Sequence, residues 1–140
     1  LNIFNLFNSL VEKNNLQGII IPSIRTPKNI IELSKNQLST NSLIIDNVDK
    51  KAYLSGLSLA KYIAVTCDST SMISEAALTG KPIYVADIPT KKNDSRIKKF
   101  RDLFTKLNII KKLDNKLEIW HYETLDETSR IANKIKKQLF

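Results

Sequence analysis

Four short apolar runs recur along the chain, Gly18-Ile19-Ile20-Ile21, Ser42-Leu43-Ile44-Ile45, Tyr62-Ile63-Ala64-Val65 and Pro82-Ile83-Tyr84-Val85, each about 20 residues from the next. None alternates with polar residues. Continuous β-branched runs separated by helix-length segments are the pattern of parallel strands buried on both faces, and they predict repeated βαβ units. The helices read from their apolar spacing: Ile3, Phe7, Leu10 and Val11 in the first, Ile30, Ile31 and Leu33 after Pro27 in the second, and Leu54, Leu57, Leu59 and Ala60 in the third. A fourth carries Ile73, Ala76 and Ala77 and stops at Gly80, a good residue for the left-handed turn after a helix. In a fifth, Ile97, Phe100, Phe104 and Leu107 form a stripe opposite Lys98, Lys99, Asp102 and Lys106, so this helix covers a sheet. A last helix is predicted from Thr124, whose hydroxyl and the Glu127 carboxylate make a capping box. Ile131, Ala132, Ile135 and Leu139 lie on its apolar side, and Lys134, Lys136 and Lys137 face water. The expected fold is α/β, a Rossmann-like, mostly parallel sheet flanked by helices. No repeat or linker divides the chain, so residues 1–140 read as a single domain. The first residue is Leu1, inside a helix already running, which is what a fragment of a longer chain would show.

Composition narrows the classes. A chain of 140 residues and 15.9 kDa, 42% hydrophobic and 26% charged with three Gly and four Pro, is neither disordered nor collagenous. No apolar run approaches the roughly 18 residues of a membrane span. The single cysteine, Cys67, cannot form an internal disulfide, and with one His there is no second soft ligand for zinc. No metal or other cofactor is expected, and a reducing, cytoplasmic setting fits. The net charge of +8 raises the question of an anionic partner, but only Arg25, Arg96, Arg101 and Arg130 carry the forked guanidinium that nucleic acid recognition favours. The 19 Ile, 18 Lys and 13 Asn spread over the whole chain read as a compositional background. Nucleic acid is therefore not the expected partner.

In an open parallel sheet, ligands sit beyond the carboxyl ends of the strands, which directs attention to two segments. Pro22-Ser23-Ile24-Arg25-Thr26-Pro27 places two hydroxyls and a guanidinium between a strand and a helix, groups that suit a phosphate. Thr66-Cys67-Asp68-Ser69-Thr70-Ser71 places hydroxyls at the start of another, where free N–H groups and the helix dipole favour anions. Plain helix capping accounts for one or two of these side chains. It does not account for Glu75, which follows Met72 by three residues and so completes no capping box. Glu75 lies one turn along from Ser71 on the same side, where its carboxylate could accept both vicinal hydroxyls of a ribose, or simply lie solvated near the helix start.

The stretch Thr66-Cys67-Asp68-Ser69-Thr70-Ser71-Met72-Ile73-Ser74-Glu75-Ala76-Ala77-Leu78-Thr79-Gly80-Lys81-Pro82 closely resembles the signature of the mitochondrial fission ELM1-like family, a domain of unknown function common in bacteria. Ser23-Ile24-Arg25-Thr26-Pro27 is similar to the family's Ser-Arg-Arg-Thr-Pro, and Trp120-His121-Tyr122 followed by Leu125 and Glu127-Thr128 adds support. Ile24, Lys51-Ala52-Tyr53 and Lys61 depart from the family's Arg, Asn-Pro-Tyr and Asp. The family in turn looks like the GT-B glycosyltransferases. The resemblance implies the C-terminal half of a longer two-domain protein, its N-terminal domain missing here, which binds a nucleotide-sugar donor and is inactive alone. By that analogy Glu75 takes the ribose, Asp68, Ser69, Thr70 and Ser71 take the diphosphate, and Ser23, Arg25 and Thr26 assist. The acceptor would belong to the envelope or a lipid, with the protein cytoplasmic and peripheral to the inner face of a membrane. The family name implies an alternative, a non-enzymatic scaffold at a membrane, with Lys91, Lys92, Lys98 and Lys99 resting on anionic lipid. Neither reading names a catalytic base. Cys67 is expected as a buried structural thiol, His121 as a packing residue, and Trp120 and Tyr122 as anchors of the final segment on the sheet.

Overall fold

The computed structural model describes residues 3–38, 41–67, 69–87, 95–124, 133 and 135–138. Elements follow in the order α1 (Ile3–Lys13), β1 (Gly18–Ile20), α2 (Lys28–Gln37), β2 (Ser42–Ile44), α3 (Lys50–Leu59), β3 (Ile63–Thr66), α4 (Thr70–Ala77), β4 (Ile83–Ala86), α5 (Ser95–Lys106) and β5 (Ile110–Lys112). Parallel neighbours need a crossover long enough to return the chain, which the intervening helices supply, and every described pairing is parallel. The result is a Rossmann-like α/β fold with parallel strands in two sheets flanked by helices. Packing divides the chain into two compact units, Leu1–Leu59 with Asp114–Leu117 and Ala60–Leu113 with Glu118–Phe140.

In the first unit β1 and β2 pair with Gly18 opposite Ser42 and Ile20 opposite Ile44. Gly18 is required by close approach: a Cβ there would lie 2.6 Å from the Phe7 ring and from the Ser42 hydroxyl. Leu10 and Val11 of α1 and Pro22 after β1 are buried in this unit. The inner side of α3 differs from the leucine-based reading. Ala52, Tyr53, Gly56 and Leu57 are partly buried, whereas Leu54 is 52% and Leu59 80% exposed. The cause is Gly56, which lets the helix approach until a Cβ would meet the Ile21 side chain at 2.8 Å. Small residues facing inward leave no hydrophobic signature.

The second unit holds the denser core. Its sheet runs β3-β4-β5, with Ile63 opposite Ile83 and Ile83 opposite Ile110. All of β4 is buried, as the apolar run predicted for a central strand. Ile73, Ala76 and Ala77 of α4 are buried, and Phe104 of α5 stacks on Phe100 at 4.2 Å. β5 has no counterpart in the four apolar runs, because an edge strand reading Ile110-Lys111-Lys112 buries only its first side chain. Gly80 has φ +73°, the left-handed turn expected after α4.

An extended strap, residues 118–122, lies over this sheet. The Glu118 N–H donates to the Tyr84 hydroxyl at 2.6 Å, and that hydroxyl lies 3.2 Å from the Glu118 carbonyl. The Tyr122 hydroxyl donates to the Lys81 carbonyl at 2.7 Å. Trp120 and Tyr122 thus anchor the final segment as expected, whereas His121, expected to pack, is exposed between them. Burial pushes the Tyr122 phenol up to about 12, against the lowering effect of the Thr79 hydroxyl. The unfolded chain would release this proton near pH 10, so the stability held in the protonated phenol is complete below pH 10 and is lost as the pH rises toward 12. Discounted for partial exposure, the loss is about 1–2 kcal/mol. Urea unfolding at either end of that interval should show it, and a Tyr122→Phe chain should lose less; equal losses in the two chains would refute the assignment.

The expected helix from Thr124 falls largely on residues outside those described, including Leu125, Glu127, Thr128, Ile131, Ala132, Lys134 and Leu139. Residues 135–138 are helical, with Lys136 and Lys137 exposed. No described helix is long and apolar enough to cross a membrane.

Candidate functional site

Each sheet presents a strand-to-helix junction at its carboxyl edge. In the second unit β3 runs through Thr66 into Cys67, which is buried and donates its N–H to the Ala86 carbonyl at 3.0 Å. Ser69, 6% exposed, is the N-cap residue of α4, and its carbonyl accepts the Ile73 N–H at 3.1 Å, the bond that closes the first turn. The Ser69 side chain makes no capping hydrogen bond. Capping therefore does not explain this serine. Thr70 is partly buried, while Ser71 and Glu75 are both exposed, one turn apart on the same side of α4. The first N–H groups of a helix have no carbonyl partner within it, and here they follow a strand end together with hydroxyl side chains. Such an arrangement can hold an anionic oxygen, with the Glu75 carboxylate one turn away to accept hydroxyl hydrogens. Asp68 lies outside the described residues.

In the first unit, β1 leads through buried Pro22 into a closed turn, the Thr26 N–H donating to the Ser23 carbonyl at 3.0 Å. The Thr26 hydroxyl accepts the Ser23 N–H at 2.9 Å and lies 3.3 Å from the Ser23 hydroxyl. Both hydroxyls are engaged within the turn, while Arg25 is exposed. Pro27 is the N-cap residue of α2 and makes no side-chain cap. The start of α3 provides the contrast: one Asp49 carboxylate oxygen accepts the Lys51 and Ala52 N–H groups at 3.0 and 3.1 Å, so this helix start is already occupied by its own side chain. The site residues singled out from the sequence thus divide between units, Ser23, Arg25 and Thr26 in one and Ser69, Thr70, Ser71 and Glu75 in the other.

Sequence reasoning did not single out a pair at the end of β4. Asp87, the residue after the strand, lies 3.9 Å from the Arg101 guanidinium, whose Nε is buried without a hydrogen-bond partner. Position after an apolar run could have flagged Asp87. Nothing in the spacing of α5 distinguishes Arg101. Among the described residues no three His, Cys, Asp or Glu side chains come together in a way that could hold a metal ion.

Comparison with known proteins gives a consistent result. The family model for mitochondrial fission ELM1 matches residues 1–139. An uncharacterised protein of Rickettsia prowazekii (strain Madrid E) is 32% identical over 139 residues, which cover 94% of this chain and 39% of that protein. The mitochondrial fission protein ELM1 of Arabidopsis thaliana is 27% identical over 122 residues, covering 84% of this chain and 28% of the plant protein. The chain thus spans about two fifths or less of the length of these relatives. No solved structure matches. The match along nearly the whole chain, with the α4 junction among the matched residues, shows that this chain belongs to the mitochondrial fission ELM1 family.

Proposed function

We propose that the β3–α4 junction binds the nucleotide diphosphate of a nucleotide-sugar donor in a glycosyltransferase-like protein. The observation that supports this reading is the start of α4, where a buried N-cap serine leaves the helix without its side-chain cap while Ser71 and Glu75 stand exposed in line. The N–H groups of Thr70 and Ser71, with the hydroxyls of Ser69, Thr70 and Ser71, hold the diphosphate, and Glu75 accepts the two ribose hydroxyls; the Ser69 N–H itself donates to the Thr66 carbonyl at 3.2 Å. The helix dipole and these donors stabilise the negative charge that grows on the diphosphate as it leaves. Sugar transfer to an envelope or lipid acceptor is the reaction this positioning serves, and the whole protein rather than this chain would carry it out. Calorimetric titration with UDP, GDP, ADP and CMP tests the reading. One nucleotide should bind saturably, and Glu75→Ala should weaken it at least tenfold, about 1.4 kcal/mol, without lowering stability. No binding by a folded chain would overturn it. The printed name of the Arabidopsis relative favours a second reading, a non-enzymatic fission scaffold. In that case Glu75→Ala leaves function intact.

A further inference from the structure

The carboxyl edge of the β1–β2 sheet carries features that the nucleotide reading does not use. Ile24 is 88% and Val48 57% exposed. Ile20 and Ile44 are partners in register at the two strand ends, and each of these bare aliphatic residues follows its strand end by four residues. Two neighbouring loops therefore present them at one edge, the first loop closed by the Ser23–Thr26 turn.

Cations surround them in places where electrostatics disfavours cations. Lys28 is the first residue of α2, Lys50 and Lys51 are the first two of α3, and neither helix has an acid in its first turn. The start of a helix carries about half a positive charge, so a lysine there is repelled unless something anionic lies close by; the Asp49 carboxylate supplies that at α3, whereas nothing of the kind caps α2 beside Lys28. Arg25 adds a fourth cation. All four are exposed, and none makes an ion pair among the described residues. Of the acids in the same loops, Asp46 lies 2.6 Å from the Lys35 ammonium, and Asp49 is spent on the main chain at the start of α3; no ion pair is seen between either acid and Arg25, Lys28, Lys50 or Lys51 among the described residues.

A partner that fits must be anionic and apolar together. Nucleic acid would use the charge, but residues 22–27 and 45–51 contain no aromatic ring for a base to stack on, and Arg25 is their one guanidinium. A protein partner would be expected to meet aromatic or arginine anchors, which these loops also lack apart from Arg25. A bilayer with anionic headgroups accepts both features, because aliphatic tips enter the boundary of headgroup and acyl chain while lysines stay at the level of the phosphates. We propose that this edge, Ile24 and Val48 flanked by Lys28, Lys50 and Lys51, is a docking surface for an anionic lipid bilayer. The proposal is independent of the nucleotide reading, because it uses none of the residues of α4.

Co-sedimentation of the 140-residue chain with large unilamellar vesicles, phosphatidylcholine and phosphatidylglycerol in a two-to-one ratio against phosphatidylcholine alone, tests it. The chain should pellet with the anionic vesicles and be released by high salt. The triple variant Lys28→Ala/Lys50→Ala/Lys51→Ala should bind about a hundredfold more weakly. Ile24→Ser/Val48→Ser should bind about tenfold more weakly at unchanged charge. These side chains are exposed, so circular dichroism should show both variants folded. Lys98→Ala/Lys99→Ala on α5, and Glu75→Ala, should bind as the unaltered chain does, which lets this proposal and the nucleotide reading fail separately. Absence of binding to anionic vesicles, binding that both edge variants retain, or loss confined to the Lys98 and Lys99 variant would overturn it. Release by inorganic phosphate at matched ionic strength would also overturn it, pointing to a free-anion site.

Discussion

Replacing Trp120 with alanine is expected to lower the unfolding free energy by about 3–5 kcal/mol, measured by guanidinium unfolding. Three contacts are lost together. The indole, 8% exposed, stands edge-on to the Tyr84 ring at 5.2 Å and 89°, a favoured aromatic geometry. Its Nε1–H donates to the Asn108 carbonyl at 2.9 Å, and Asn108 has a φ of 60°, a conformation that the surrounding packing must hold. The Lys111 ammonium lies 4.6 Å from the ring centre while pairing with Glu118 at 3.2 Å. Trp120→Phe divides the effect, keeping most of the ring burial but leaving the Asn108 carbonyl without its donor, at about 1 kcal/mol. Should the alanine variant lose less than that, the strap would not be part of the core of this unit. Tyr84 then becomes the control, since its hydroxyl still holds both main-chain groups of Glu118.

The order of strands and helices was legible because β1 to β4 are continuous apolar runs, but the expected burial on both faces holds only for β4; β3 alternates buried and exposed, and Ile19 of β1 and Leu43 of β2 are 44% and 52% exposed. β5 was not legible, because two of its three residues are lysines, and Lys111 meets the indole through its ammonium. The face of α3 was misread for a related reason: hydrophobicity counts reward Leu54 and Leu59, whereas the helix is seated through Gly56, whose lack of a side chain is what allows contact with Ile21. At the candidate site, the hydroxyl cluster and the odd position of Glu75 stood out from spacing alone. What spacing could not supply was the state of each hydroxyl. Ser23 and Thr26 bind one another, Ser69 is buried without capping α4, and the helix start that does carry a side-chain cap is that of α3, through Asp49, which the sequence reading had not picked out. Ile24 stood out only as a departure from the family's Arg, and Val48 not at all; that both are exposed on neighbouring loops is a property of the pairing of β1 with β2 and not of either segment's pattern.

Ile73→Ala is expected to cost about 3–4 kcal/mol, and it bears directly on the site. Ile73 is fully buried and sits in the first turn of α4, its N–H closing that turn on the Ser69 carbonyl at 3.1 Å. Truncation removes three carbons from a packed interior, and the resulting void lies beneath the residues assigned to the diphosphate. Stability and nucleotide affinity should therefore fall together. Ile73→Val removes one methylene and should cost about 1 kcal/mol while the helix start keeps its place, so affinity should stay within about twofold. Glu75→Ala is the converse, an exposed change expected to alter stability by less than about 0.5 kcal/mol and to weaken binding at least tenfold. If Ile73→Ala destabilises the chain as predicted but binds nucleotide as tightly as before, the start of α4 is not where the diphosphate sits. If Ile73→Val alone abolishes binding, the site depends on α4 packing to better than one methyl group, and the Glu75 result must be read at matched stability.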